Sequence, residues 1–181
     1  MNESSADLRR IALVPIISTP GTDMGLGELG RMLEPRLGVS CFVDLPLRLD
    51  PEWFDADRDQ FGSNQIIDAL VERFNVACYD PGEVWMLGVT DADLHADGRN
   101  FVFGEATLGG CCALISRARL TDRPDRLVTE AIHELGHVAG LGHCDSPGCV
   151  MQPSPDVASI DDKSAEPCDR CALALLPDSI G

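Results

Sequence analysis

The chain has 181 residues, enough for one domain with a hydrophobic core and short for two. Hydrophobic residues make up 44% and charged residues 24%, as in ordinary globular proteins, so a disordered or fibrous chain is excluded. The formal net charge of -16 repels phosphate backbones and anionic lipid headgroups. We therefore expect no nucleic acid and no membrane among its partners.

The charged residues are strongly skewed in type. The acids are 20 Asp and 10 Glu, and the bases are 13 Arg and a single lysine, Lys163. An excess of carboxylates with almost no lysine keeps a surface solvated in concentrated salt, which predicts a halophilic source. A GC-rich genome produces the same skew without salt, and the sequence leaves both explanations open.

The N-terminal region resembles no targeting segment. Its first ten residues mix acids with arginines, and the apolar run Ile11 to Ile17 is interrupted by Pro15, which fits neither a signal peptide nor a membrane span. We therefore expect a cytoplasmic protein. Because the cytosol keeps thiols reduced, its eight cysteines predict metal binding rather than disulfides.

Strands and helices alternate in the predicted secondary structure, which indicates an α/β or α+β class. In chain order we predict a strand at Ile11–Ile17, a helix at Met24–Leu37, a strand at Val39–Leu45, a helix at Asn64–Phe74, a strand at Val84–Val89, a hairpin of Phe101–Glu105 with Cys111–Ser116, and a helix at Thr121–Gly140. After Gly140 the chain is Gly/Pro-rich and is predicted to be irregular.

The last predicted helix has the clearest start signals. Thr121 or Asp122 can cap it, Pro124 suits its first turn, and Asp125 favours the positive end of the helix dipole.

This helix carries His133, Glu134 and His137. At 100° per residue, the two histidines lie about 40° apart and Glu134 lies at about 100°, while the apolar residues Val128, Ile132 and Leu135 occupy the opposite side. Two imidazoles one turn apart can bind one zinc, and Glu134 is then placed to act as a base without being a ligand. Two helix histidines can also be ordinary surface residues.

A third histidine completes the pattern H-E-x-x-H-x-x-G-x-x-H. His143 follows Gly140, which lets the chain leave the helix in a conformation that other residues adopt at a cost. We therefore predict His133, His137 and His143 as ligands of a catalytic zinc. Met151 stands where this pattern expects a methionine turn beneath the ligands, although methionine is also common core filler.

Four cysteines are spaced for a second, structural zinc. Cys144 and Cys149 follow the third histidine, and Cys168 and Cys171 form a C-x-x-C pair. Reduced bystanders or a redox pair are the alternatives. The other cysteines lack such spacing and are predicted to be small buried apolar residues: Cys41, Cys78, Cys111 and Cys112.

The chain resembles the archaemetzincins in the pattern H-E-x-x-H-x-x-G-x-x-H-C-x4-C-x-M followed by C-x-x-C. The interval from Met151 to Cys168 is one residue shorter than that family's pattern leads us to expect. The resemblance implies a compact metzincin-like α/β fold, with a twisted mixed sheet over the active-site helix and a small zinc-stapled C-terminal lobe. It also implies a zinc-dependent peptidase with two zinc ions per chain.

We therefore expect a monomeric metallopeptidase domain over 1–181, with an N-terminal lobe at 1–140 and a C-terminal lobe at 141–181. It would hydrolyse peptide or protein substrates by a zinc-activated water, with Glu134 as general base. An edge strand within Phe101–Ala113 would bind the substrate backbone, unless its apolar residues are plain core. Two other classes stay open: a zinc-stabilised peptide-binding module and a hydrolase of a non-peptide amide.

Overall fold

The computed structural model describes residues 9–120 and 123–175. The strands are β1 (Arg10–Ile17), β2 (Ser40–Val43), β3 (Leu47–Arg48), β4 (Phe54–Asp55), β5 (Gln60–Gly62), β6 (Val84–Thr90), β7 (Leu94–His95), β8 (Gly104–Ala106) and β9 (Cys112–Ser116). The α-helices are α1 (Leu26–Leu37), α2 (Ser63–Val76), α3 (Pro124–Val138), α4 (Val157–Asp161) and α5 (Asp169–Leu175), with a 3-10 turn at Pro51–Trp53.

The main sheet is mixed, as the α/β prediction requires. Its strand order is β2-β1-β6-β9-β8, with β3 paired to β1 beyond the end of β2. Strands β1, β2, β3, β6 and β9 run parallel, and only β8 is antiparallel to its neighbour, β9. Among the described strands, β8 therefore forms one edge. A smaller sheet of order β4-β5-β7 lies apart from this path.

A proline is tolerated within the interior strand β1. The carbonyls of Leu13 and Ile17 accept hydrogen bonds from the segments of β2 and β3. Backbone groups two residues apart point to the same side of a strand, so Pro15 faces the gap between β2 and β3. The ladder is interrupted at this point, since β2 ends at Val43 and β3 begins at Leu47, so the missing N–H of Pro15 falls between two short strands.

Side chains that alternate along the parallel strands build a core on each face of the sheet. On one face Leu13, Leu87 and Ile115 pack in a cluster with α1 and α3. On the other face, Val14 and Leu114 belong to the cluster that includes α2. The helix that carries the histidines is therefore held against β6 and β9, which are buried along their whole length.

Most predicted elements are present, with shifted ends. The hairpin exists, but only Gly104–Ala106 of its first arm is a strand, and Val102 forms an isolated bridge with Leu94 instead. Helix α3 is shorter than predicted and has Arg123 at its N-cap, with no side-chain capping bond. The predicted caps Thr121 and Asp122 lie outside the described residues.

The prediction of an irregular chain after Gly140 was wrong for two segments. Helix α4 begins after Asp156, whose side chain accepts a hydrogen bond from the Ser159 N–H at 2.8 Å. Helix α5 buries Cys171 and Leu175 in the same cluster as α3. In the described parts of the chain, no helix has both the length and the apolar character needed to cross a bilayer.

Candidate active site

Helix α3 presents its histidines from within the core. Pro124 occupies its first turn, and Asp125 lies at its N-terminal end, as predicted. His133 and Glu134 are buried, His137 is half-buried, and His143 is exposed in the loop that follows. One ring nitrogen from each of the three histidines lies within 4.8 Å of the others. The structure thus brings the three predicted ligands together.

Backbone carbonyls orient two of the rings. His133 Nδ1 lies 2.8 Å from the Val150 carbonyl oxygen, and His137 Nδ1 lies 2.7 Å from that of Leu141. Donation from each Nδ1 leaves both Nε2 lone pairs free, and these two atoms are 3.2 Å apart. Two nitrogens bound to one tetrahedral zinc at ~2.0–2.1 Å lie about 3.4 Å apart, so this arrangement fits zinc.

Gly140 returns the chain towards the helix, as its place in the pattern predicts. Its φ of 90° lies in the left-handed region, where a side chain is strained. The next residue, Leu141, donates its N–H to the Gly136 carbonyl at 2.9 Å, which places its own carbonyl against His137.

Glu134 is buried beside a glycine of the edge strand. A Cβ added at Gly104 would lie 2.7 Å from Glu134 Cγ and Oε1, so only a glycine leaves room for this carboxyl group. Burial raises the pKa of Glu134 well above its usual range, and the nearby Glu130 adds to this effect. A carboxyl with a raised pKa suits a group that takes up a proton and later releases it.

Met151 lies in a turn packed under the same helix. It is fully buried, and a Cβ added at Gly136 would overlap its Sδ. Its carbonyl accepts the Cys144 N–H at 2.9 Å, and the preceding residue Val150 orients His133. The turn therefore contacts both His133 and Cys144.

Sequence reasoning missed a buried ion pair behind His133. Lys163 Nζ lies 2.9 Å from Glu130 Oε1, and their side chains are 1% and 2% exposed. Glu130 could have been found from the sequence, because it lies about 60° from His133 around the helix, on the face that holds His137 and Glu134. Lys163 could not have been found in this way, because no sequence pattern around it relates it to the histidines.

The sulfur atoms of Cys144, Cys149, Cys168 and Cys171 all lie within 4.8 Å of one another, and all eight cysteines are free thiols. Cys144 and Cys168 are 3.8 Å apart at Sγ, which matches the spacing of about 3.8 Å that a tetrahedral zinc with Zn–S bonds of ~2.3 Å requires. The four-cysteine set therefore fits zinc as well.

Hydrogen bonds favour the thiolate form of Cys144 within this cluster. Cys144 Sγ accepts from the Ser146 N–H at 3.4 Å and from Arg170 Nη2 at 3.1 Å, and these contacts lower its pKa. Burial instead raises the pKa of Cys171 to about 12. Of the four remaining cysteines, Cys112 is buried as predicted, whereas Cys78 is exposed at the end of α2, so that prediction was wrong.

The histidines open into a cleft of about 890 Å³. It is lined by segment 101–106, which contains β8, by segment 153–155, and by Glu130, His133, Glu134 and His137 of α3. Arg99 also lines the cleft. An open groove beside a free strand edge has room for an extended chain.

Comparisons with known proteins agree with this geometry. The model for Peptidase family M54 matches residues 47–176. An archaemetzincin from Archaeoglobus fulgidus is 43% identical over 127 residues, which are 67% of this chain and 72% of that protein.

Solved structures resemble most of the chain. The crystal structure of archaemetzincin from Methanopyrus kandleri has a TM-score of 0.78 and 30% identity, and covers 96% of this chain and 97% of that one. A zinc-dependent peptidase from Methanocorpusculum labreanum has a TM-score of 0.77 and 28% identity, covering 91% and 99%.

The fold, the cleft and these matches define the class of the protein as a zinc-dependent metallopeptidase. The chain belongs to Peptidase family M54, the archaemetzincins. Of the three classes left open by the sequence, the family match selects the peptidase.

Proposed function

We propose that His133, His137 and His143 hold the catalytic zinc and that Glu134 is the general base of peptide hydrolysis. The observation that carries this proposal is the convergence of three imidazole nitrogens in an open cleft that a buried carboxyl group also lines. Met151 supports the histidines from below and ligates nothing.

The chain's own residues account for the proton steps. Zinc, when bound, supplies Lewis acidity that polarises the scissile carbonyl and makes water easier to deprotonate. Glu134 accepts a proton from the attacking water and returns it to the leaving nitrogen. Its burial beside Gly104 keeps the carboxyl group in one place between these two transfers.

The substrate proposed for this site is a peptide or protein segment in extended conformation. Strand β8 is an edge strand among the described strands and lines the cleft, so its unpaired backbone groups are available for strand addition. The proposed substrate-binding strand is thus Gly104–Ala106 with its neighbours, within the predicted segment Phe101–Ala113.

We propose a second zinc, held by the four cysteines, in a structural role. Four sulfur ligands close a tetrahedral site and leave no position for substrate. The total of two zinc ions per chain follows, within one domain of two lobes, 1–140 and 141–181. A monomeric state and a cytoplasmic location stay predictions, and size-exclusion chromatography tests the first.

Replacement of Glu134 by alanine tests the proposed roles. We expect a loss of ~10²–10⁴ in hydrolysis of a proteome-derived peptide library, because general base catalysis is removed. Zinc content should stay at two equivalents. If metal analysis of pure Glu134→Ala protein shows one zinc lost, Glu134 is a ligand and not the base.

A further inference from the structure

Lys163 is the one lysine in the chain, and it is buried rather than exposed. Its ammonium nitrogen lies 2.9 Å from Glu130 Oε1, 2.6 Å from Ser154 Oγ and 3.1 Å from the Gln152 carbonyl oxygen. Ser154 Oγ also lies 2.9 Å from the same Glu130 oxygen. These groups form one connected polar network.

These contacts account for every proton of the ammonium group. A lysine has three N–H donors, and Glu130, Ser154 and Gln152 supply three acceptors. His133 Nδ1, at 3.4 Å from Lys163 Nζ, is a fourth neighbour for which no proton remains. The hydrogen-bond network therefore assigns the proton on Nδ1 to the bond with the Val150 carbonyl.

The network joins three separate parts of the chain. Glu130 and His133 lie one turn apart on α3, Ser154 follows the turn that contains Val150, and Lys163 follows α4. Glu130 and Ser154 also line the cleft. Lys163 thereby fixes Gln152 and Ser154 to the helix that carries Glu134. These residues lie just after Val150, whose carbonyl orients His133.

We infer that Lys163 is a positioning residue for the reaction: with Glu130 it clamps residues 150–154 to α3 and so fixes the ring of His133. The inference rests on the proposed role of the three histidines. Stability alone does not explain the pair, because well-packed apolar residues usually replace a buried ion pair without loss. Apolar residues would not hold the Gln152 carbonyl and the Ser154 hydroxyl in place.

The test compares Lys163→Met, Glu130→Gln and the double variant with the native full-length protein. Zinc affinity is measured by chelator competition, and cobalt substitution distinguishes the sites, since thiolate charge-transfer bands report only the four cysteines. Melting temperature and the kcat and KM for a peptide are recorded on the same samples. Arg126→Met is the matched control, because Arg126 pairs with Asp161 across α3 and α4 but lies outside the cleft.

We expect Lys163→Met to lower Tm by roughly 10 °C, because Glu130 is left buried without its partner. The double variant should regain most of the lost Tm, since it contains no unpaired buried charge. Its three-histidine site should still bind zinc about 10–100-fold more weakly than the native site, with kcat reduced and KM little changed. Arg126→Met should keep the native zinc affinity.

Recovery of zinc affinity and kcat together with Tm in the double variant would show a purely structural ion pair and overturn the inference. If Lys163→Met does not fold, the zinc affinity and kcat of the double variant alone distinguish a positioning role from a purely structural one. Failure of the proposed function is a separate outcome, visible in the native protein as a three-histidine site that binds no zinc.

Discussion

At the scale of single residues, the site depends on groups kept neutral by burial. His133 is 4% exposed, and burial lowers its pKa to about 3, with the charge of Lys163 acting in the same direction. Burial also lowers the pKa of His143. Neutral imidazoles are what a zinc site needs, because protonation removes the lone pair that binds the metal.

The low pKa of His133 predicts acid lability. The unfolded chain takes up a proton near the ordinary histidine pKa of ~6.5, whereas the folded chain resists protonation down to about 3, so stability present above pH 6.5 is lost as pH falls. In the zinc-free protein we expect the loss of unfolding free energy to approach about 1.4 kcal/mol per pH unit as pH falls from 6.5 to 5. Urea unfolding across this range provides the measurement.

Two variants form the control for this loss. His133→Gln should flatten the pH dependence, and His95→Gln, which alters the one histidine outside the cluster, should preserve it. A native protein whose unfolding free energy is constant from pH 6.5 to 5 would contradict the assignment.

At the scale of elements, the C-terminal segment and α3 are connected through the turn at Met151. Cys149 begins this turn, and its Sγ accepts the Cys168 N–H at 3.3 Å. The Val150 N–H donates to the Glu166 carbonyl at 3.1 Å, while the Val150 carbonyl orients His133. The two candidate zinc sites therefore share one short stretch of backbone.

This connection predicts that Cys168→Ser damages both sites. An apparent ~10–16 kcal/mol is available from a structural zinc in small domains, and its loss should free the turn and the start of α5. Under reducing conditions we expect a lower Tm and fewer than one tightly held zinc, against two in the native protein.

The exposed Cys78 offers a matched control, and Cys78→Ser should retain two zinc ions and the native Tm. A native protein that binds one zinc while all its cysteines are freely alkylated would exclude the four-cysteine site.

At the scale of the whole molecule, charge is distributed unequally between surface and interior. The formal net charge is -16, and the only lysine is buried, so surface positive charge comes from arginine. Several arginines form exposed bidentate pairs, such as Arg117 with Asp91 and Arg119 with Asp93. Zinc leaves the total unchanged, because four thiolates add -4 and two zinc ions add +4.

We expect the protein to be more stable in molar KCl than in dilute buffer. Salt at about 1 M screens charges beyond ~3 Å and relieves repulsion among the carboxylates. The measurement is Tm across a KCl series with zinc held constant. A Tm that stays flat or falls with salt would favour the GC-rich genome as the origin of the skewed composition.

The sequence by itself determined the local part of this protein. Helical periodicity placed His133, Glu134 and His137 together, and short spacings related His143 and the cysteines to them, because such distances are set by backbone geometry over a few residues. Short apolar runs likewise predicted the core strands β1, β6 and β9, although the strands β3, β4, β5 and β7 carried too few residues for a pattern.

Only the tertiary structure decided which distant residues surround this local motif. Gly104 meets Glu134 because β8 pairs with β9 at the sheet edge, and Lys163 meets Glu130 across 33 positions because α4 turns the chain back onto α3. Such contacts arise from the burial of whole elements against each other, and no periodicity within one segment encodes them. The sequence therefore predicted the residues that carry the chemistry of the site, but not the distant residues that pack around them.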